Sequence, residues 1–172
     1  MQKILTRDDL LGLLRSLSKD FEIIGPKELA NKGIFYEAIE DVEDLYLRSS
    51  FATEPIKKFF LEPSDYIFKC EFKEGKNSPE DISLPKNKRI VIGLRPCEAR
   101  GLTLLDKIFD SDYKDKSYIN NRNRTIIIGL ACSRPDRSCF CTSLGGSPID
   151  ARGMDAILFE MENNFVVETI TN

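Results

Sequence analysis

Histidine does not occur anywhere in the 172 residues. The side chain best suited to proton transfer near neutral pH is therefore missing, and any transition metal must be held by thiolates or carboxylates. The remaining carboxylates are scattered along polar stretches, so no acid-base pair stands out. Long apolar runs are missing too. The longest, around Ile90–Leu94 and Ile126–Cys132, fall far short of the about 20 residues a spanning helix needs. No export signal is apparent at the amino terminus, where Arg7, Asp8 and Asp9 break the apolar pattern. The expected location is the cytoplasm, where thiols stay reduced and clustered cysteines bind metal or do redox chemistry more often than they form staples. A large charge surplus is likewise absent: 25 basic against 28 acidic side chains leave a net charge of -3, which argues against a nucleic-acid partner. Finally, no C-x2-C pair occurs. The paired knuckles of most structural zinc sites are thus lacking.

What is present is a soluble composition, 41% apolar and 31% charged, in a length suited to one domain. Residues 1–72 read as a helix followed by short strands. The amino-terminal stretch is an amphipathic pattern in which Leu10, Leu11, Leu13, Leu14 and Leu17 share one broad helical face. From Phe21 to Phe72, runs such as FEII, GIFYEAI, LYL, KKFF and DYIFKCEF alternate with breaks at Gly25-Pro26, Pro55 and Pro63. Residues 73–88, KEGKNSPEDISLPKNK, read as an exposed connection.

Residues 89–172 are more legible. RIVIGL at 89–94 and the run at 124–130 ending in TIIIGL are short β-branched stretches suited to strands buried on both faces. Between them Pro96 opens a helical pattern carried by Ala99, Leu102, Leu105, Ile108 and Phe109, followed by a loop rich in Asp, Lys and Asn. Strand, helix, strand is a parallel βαβ unit. Asp155–Glu160 and Phe165–Thr169, about Asn163-Asn164, form a C-terminal hairpin. The fold class is thus α/β, with α+β as the alternative: one domain, 1–172, on a small sheet.

Three of the five cysteines fall in ACSRPDRSCFCTSLGG, residues 131–146. If the two β-branched strands are parallel neighbours, Cys97 and Cys132 leave the sheet at the same carboxyl edge, where ligands of open α/β sheets collect. Cys139 and Cys141 can fold back to meet them, completing the set C-x34-C-x6-C-x-C. For the loop to fold back so that Cys139 and Cys141 meet the other two thiols, Cys139-Phe140-Cys141 is expected to turn. Cys70 lies outside the set, between Phe68 and Phe72, and reads as a thiol packed on the core. Four thiolates suit an iron–sulfur cluster or zinc; redox-active or inert thiols stay open as well. Arg95, Arg100, Arg134 and Arg137, the N–H groups of residues 142–147 and the dipole of the helix that begins near Cys97 would all favour an anionic cluster. The plainer alternatives are an ordinary βα turn at RPC, an ordinary loop at GGSP and a solvated arginine face.

GLRPCEARGLTLLDKIF, then IIGLACSRPDRSCFCTSLGGSP, with IKKFFLEPSDYIFKCEF upstream, resembles the amino-terminal domain of two kinds of anaerobic electron-transfer protein. These are the anaerobic sulfite reductase type and the hydrogenase (sulfhydrogenase) beta subunit. The resemblance implies an iron–sulfur electron-transfer domain, itself non-catalytic, in an anaerobic oxidoreductase complex. It implies a 4Fe–4S cluster on Cys97, Cys132, Cys139 and Cys141; zinc, which the four thiols by themselves leave open, is the alternative cofactor. The implied partners are a ferredoxin-like module with two C-x2-C-x2-C-x3-C runs and the catalytic or flavin subunits it serves. That module is not in these residues, so the chain is expected to be the front part of a longer subunit. A zinc-binding assembly domain and a thiol redox switch are the alternative functions.

Overall fold

The computed structural model describes residues 2–48, 52–61, 64, 68–70, 79–81 and 84–171. Nine strands and three α-helices are present among them: β1 (Gln2–Thr6), α1 (Arg7–Leu17), β2 (Glu22–Leu29), β3 (Gly33–Ala38), β4 (Phe68–Cys70), β5 (Pro79–Asp81), β6 (Arg89–Leu94), α2 (Pro96–Phe109), α3 (Lys116–Asn123), β7 (Thr125–Leu130), β8 (Ala156–Met161) and β9 (Asn164–Thr169). Seven strands form one mixed sheet in the order β1-β9-β8-β7-β6-β2-β3, while β4 and β5 make a separate antiparallel ribbon. β2, β6, β7 and β8 run parallel at the centre. The outer pairs are antiparallel, including the β8–β9 hairpin. This is the expected α/β class and the expected βαβ unit.

Local chemistry sets the element ends. Thr6 caps α1 by accepting from the Asp9 N–H, and Asp9 accepts from Thr6 in return, a capping box that satisfies two groups at the helix start. Leu10, Leu11 and Leu14 turn into the core, but Leu13 is half exposed, so the buried stripe is narrower than the leucine pattern suggests. All six residues of β6 are buried, as a strand covered on both faces requires. One core lies between α1 and the sheet, around Leu14, Ile90, Ile92 and Leu158. The other joins α2 and α3 to the opposite face through Val91, Ala99, Leu102, Tyr118 and Ile127.

Three expectations are corrected. The amino-terminal pattern is not helical from its start, because Gln2–Thr6 pairs with β9 as an edge strand. Gly25-Pro26 does not break the chain but lies inside β2. The Pro26 carbonyl accepts from Tyr46 N–H at 2.8 Å, so the side of β2 on which proline lacks a donor faces the 45–47 segment and leaves the β3 ladder intact. The polar loop after α2 contains α3, which has little apolar periodicity. It is held by Asp115 capping Tyr118 N–H, by Tyr118 hydroxyl donating to Asp106 Oδ1 at 2.6 Å, and by Tyr118 against the Phe109 ring. Much of the 73–88 connection lies outside the described residues, though Pro79–Asp81 is a strand.

Candidate metal centre

Between β6 and β7 the register slips by one residue at Gly93: Ile92 pairs Ile128, and Leu94 pairs Gly129. Gly93 adopts φ +78, a bulge conformation that glycine tolerates and other residues resist. Past the last pair the two chains are in step. Cys97 follows Leu94 by three residues and Cys132 follows Gly129 by three. Pro96 starts α2, which places Cys97 in its first turn.

The loop after β7 is tied to itself. Cys132 N–H donates to Pro148 carbonyl at 2.9 Å, and its thiol to Arg134 carbonyl at 3.6 Å. Asp136 N–H donates to Cys139 Sγ at 3.2 Å. Cys141 is helical in backbone and opens a 3-10 turn over Thr142–Leu144, so the Cys139-Phe140-Cys141 segment does turn. Gly146 N–H donates to Cys141 carbonyl at 2.9 Å, and a Cβ on Gly146 would sit 3.1 Å from that carbonyl and 2.8 Å from Arg100 Nη1. Arg152 grips Asp150 with two nitrogens and donates to Gly145 carbonyl at 2.9 Å, closing the loop.

Cys97, Cys132, Cys139 and Cys141 all line one cavity of about 600 Å³, which Pro96, Leu104, Phe140 and Leu144 share. Cys70 does not line it. It is half-buried on β4 of the separate ribbon beside an exposed Phe68, not packed in the main core; Phe72 is outside the described residues. Of the four arginines, Arg95 and Arg100 line the cavity. Arg134 and Arg137 lie on the exposed loop between Cys132 and Cys139. The expected role of the 142–147 N–H groups is largely overturned. Those of Ser143, Leu144, Gly145 and Gly146 donate to carbonyls of the loop itself. The contact to sulfur comes from Asp136.

Sequence reasoning missed the support beneath Cys97. Arg95 Nε meets Glu98 Oε2 at 3.2 Å, both side chains being nearly buried. Glu98 also accepts from Tyr36 hydroxyl at 2.8 Å and from Ile56 N–H at 3.5 Å. The i, i+3 spacing of Arg95 and Glu98 at a helix start was a usable signal; Tyr36 gave none. Burial pushes the Cys97 thiol up; Arg95 pulls it the other way, while Glu98 and Cys141 reinforce the rise. A bound metal deprotonates its thiol ligands outright.

The donor set and cavity can be tested against the groups four thiols might hold. Among the described residues, no three Cys, Asp or Glu side chains are grouped to hold a single metal ion. A tetrahedral zinc with Zn–S of about 2.3 Å would require sulfurs about 3.8 Å apart. Four thiols lining one largely apolar cavity are donors of the kind a multi-iron cluster takes, one thiolate to each iron corner.

The fold and this edge define an α/β domain with four thiols gathered at the carboxyl end of parallel strands. The chain is 31% identical over 132 residues to sulfhydrogenase 2 subunit beta of Pyrococcus furiosus, a match that spans 77% of this chain and 37% of that relative. Over that length the chain is hydrogenase beta subunit-like, and it is the hydrogenase side of the resemblance that the match carries. The chain thus spans well under half the length of this relative. No family model matches, and no solved structure matches. No helix among the described residues is long and apolar enough to cross a membrane.

Proposed function

We propose that this chain is an iron–sulfur electron-transfer domain of a hydrogenase-type oxidoreductase complex, working with a ferredoxin-like module and with catalytic or flavin subunits. The observation that carries the proposal is the convergence of Cys97, Cys132, Cys139 and Cys141, from two strand ends and one loop, on a single cavity. Those four residues would hold one 4Fe–4S cluster, which when bound supplies reversible one-electron oxidation and reduction.

The protein's own part is support. α2 fixes Cys97 in its first turn, and the Arg95–Glu98–Tyr36 network holds that turn against β3. Arg95 and Arg100 place positive charge at the cavity wall, and Asp136 N–H offers a donor to Cys139 sulfur, both of which favour an anionic group. Leu104, Phe140 and Leu144 give the cavity an apolar lining at its mouth.

The test is anaerobic purification followed by iron, acid-labile sulfide and zinc analysis. Iron and sulfide in equal amounts, near four of each per chain for a 4Fe–4S cluster, with visible absorption that bleaches on reduction, are the expected result. Zinc without iron would replace the reading by the assembly domain, and metal-free protein with a potential-dependent disulfide would replace it by the thiol switch.

A further inference from the structure

The mouth of the cysteine cavity exposes an unusual amount of apolar surface. Phe140, between two of the thiols, is 65% exposed; Leu144 is 61% and Leu104 54%. All three line the cavity, and Ile108, one turn beyond Leu104 on α2, is also exposed. Contiguous exposed apolar groups of this kind mark interaction sites. A cation-rich border surrounds them. Arg137 and Arg134 lie on the exposed loop, Arg137 next to the cavity-lining Ser138, and Lys57 is exposed at the wall. The nearby carboxylates are engaged locally: Asp136 with Ser138, Asp150 with Arg152, and Glu98 with Arg95. A chain whose net charge is -3 thus shows a locally positive face here.

We propose that this face docks an acidic-surfaced redox protein, with Phe140 as the anchor. The inference rests on the electron-transfer reading above and names the partner's chemistry. Arg95, Arg100 and Lys57 all line the cavity; Arg95 and Arg100 would serve a bound anionic group, whereas the exposed Lys57 and Arg137, the latter outside the lining, are accessible to a partner. An apolar centre with an aromatic anchor and an arginine rim is the usual anatomy of a protein interface. A second copy of this chain is the wrong occupant, because a two-fold interface would set the same basic rim against itself. An acidic rim is complementary, and steers encounter in a salt-dependent way.

The experiment titrates the anaerobically purified chain with an acidic 2Fe–2S ferredoxin, and separately with a basic cytochrome c, by calorimetry at about 0.02 M and about 0.3 M salt. Ferredoxin binding should weaken by about tenfold or more between the two, and cytochrome c should not bind. Phe140→Ala and Arg137→Glu should each weaken ferredoxin binding at low salt by about tenfold or more, and Arg137→Glu, which lies outside the cavity lining, should do so with an unchanged melting curve and iron content. Undetectable ferredoxin binding at low salt, binding indifferent to both substitutions, or equal binding of cytochrome c would overturn the proposal. So would self-association that Phe140→Ala abolishes. Binding is read without electron flow, and iron is assayed separately. Docking without iron would therefore sink the cluster reading alone, and iron without docking would sink this inference alone.

Discussion

Cys97 and Cys132 occupy equivalent positions on neighbouring parallel strands, each three residues beyond the Leu94–Gly129 pair. They are 35 positions apart in sequence, yet the sheet delivers both to one edge. The equivalence depends on Gly93: its bulge absorbs the residue by which the β6 side would otherwise run ahead. Strand geometry, not loop flexibility, thus sets half of the proposed ligand set.

Cys97→Ser should lose most of the iron, or convert the centre to one of lower iron content, despite the distance of this residue from the other three thiols in sequence. Cys70→Ser should keep the parental iron and sulfide, because Cys70 sits on the separate β4–β5 ribbon. Metal analysis of both variants decides the matter; equal behaviour of the two would remove Cys97 from the site.

Gly93→Ala should destabilise the domain by about 1 to 3 kcal/mol, since an L residue is strained at φ +78 and its Cβ would sit 3.0 Å from the Pro26 ring. Any relief that flattens the bulge would also shift Cys97 out of step with Cys132. A lowered urea midpoint together with reduced iron content is expected. A lowered midpoint with full iron content would show that the register is not needed at the site.

Glu98→Ala should be the costliest of the changes near the cavity, about 3 to 5 kcal/mol, because it leaves the nearly buried Arg95 without its carboxylate. Tyr36→Phe removes only one donor to Glu98 and should cost about 1 kcal/mol. Chemical denaturation of the two variants gives the order directly; a reversed order would mean that the Arg95–Glu98 pair contributes little.

The elements that the sequence made legible are those whose burial imposes a period. β6 is apolar throughout because both its faces are covered, and α2 opens on Pro96 and repeats its apolar residues at helical spacing. α3 was invisible because its anchors, Tyr118 and Asn121, are polar and its remaining residues carry no apolar stripe. β1 was absorbed into the helix pattern that follows it, since an edge strand with Ile4 exposed carries no inward alternation of its own. At the site, thiol spacing and the parallel βαβ unit together were enough to bring Cys97 to the cysteine loop. The Arg95–Glu98–Tyr36 support was not legible, because Tyr36 comes from β3 and reaches Glu98 only through the fold.

The two buried tyrosines should make the domain lose stability at alkaline pH. Burial pushes Tyr36 well above its ordinary value of 10.0, and the neighbouring Glu98 carboxylate pushes the same way. Tyr118 is raised by burial and by its hydrogen bond to Asp106. In both cases the folded state keeps a phenolic proton that the unfolded chain releases near pH 10. Their contribution is therefore present in full below about pH 10 and is lost progressively as pH rises through the raised values. Phenylalanine cannot titrate, so Tyr36→Phe and Tyr118→Phe should each flatten the fall of the urea midpoint between about pH 9 and about pH 11, relative to the parent chain. Subtracting the variant from the parent removes the titration of lysines, which is common to both. An unchanged slope in both variants would show that these phenols ionise alike in the folded and unfolded chain, contrary to their burial.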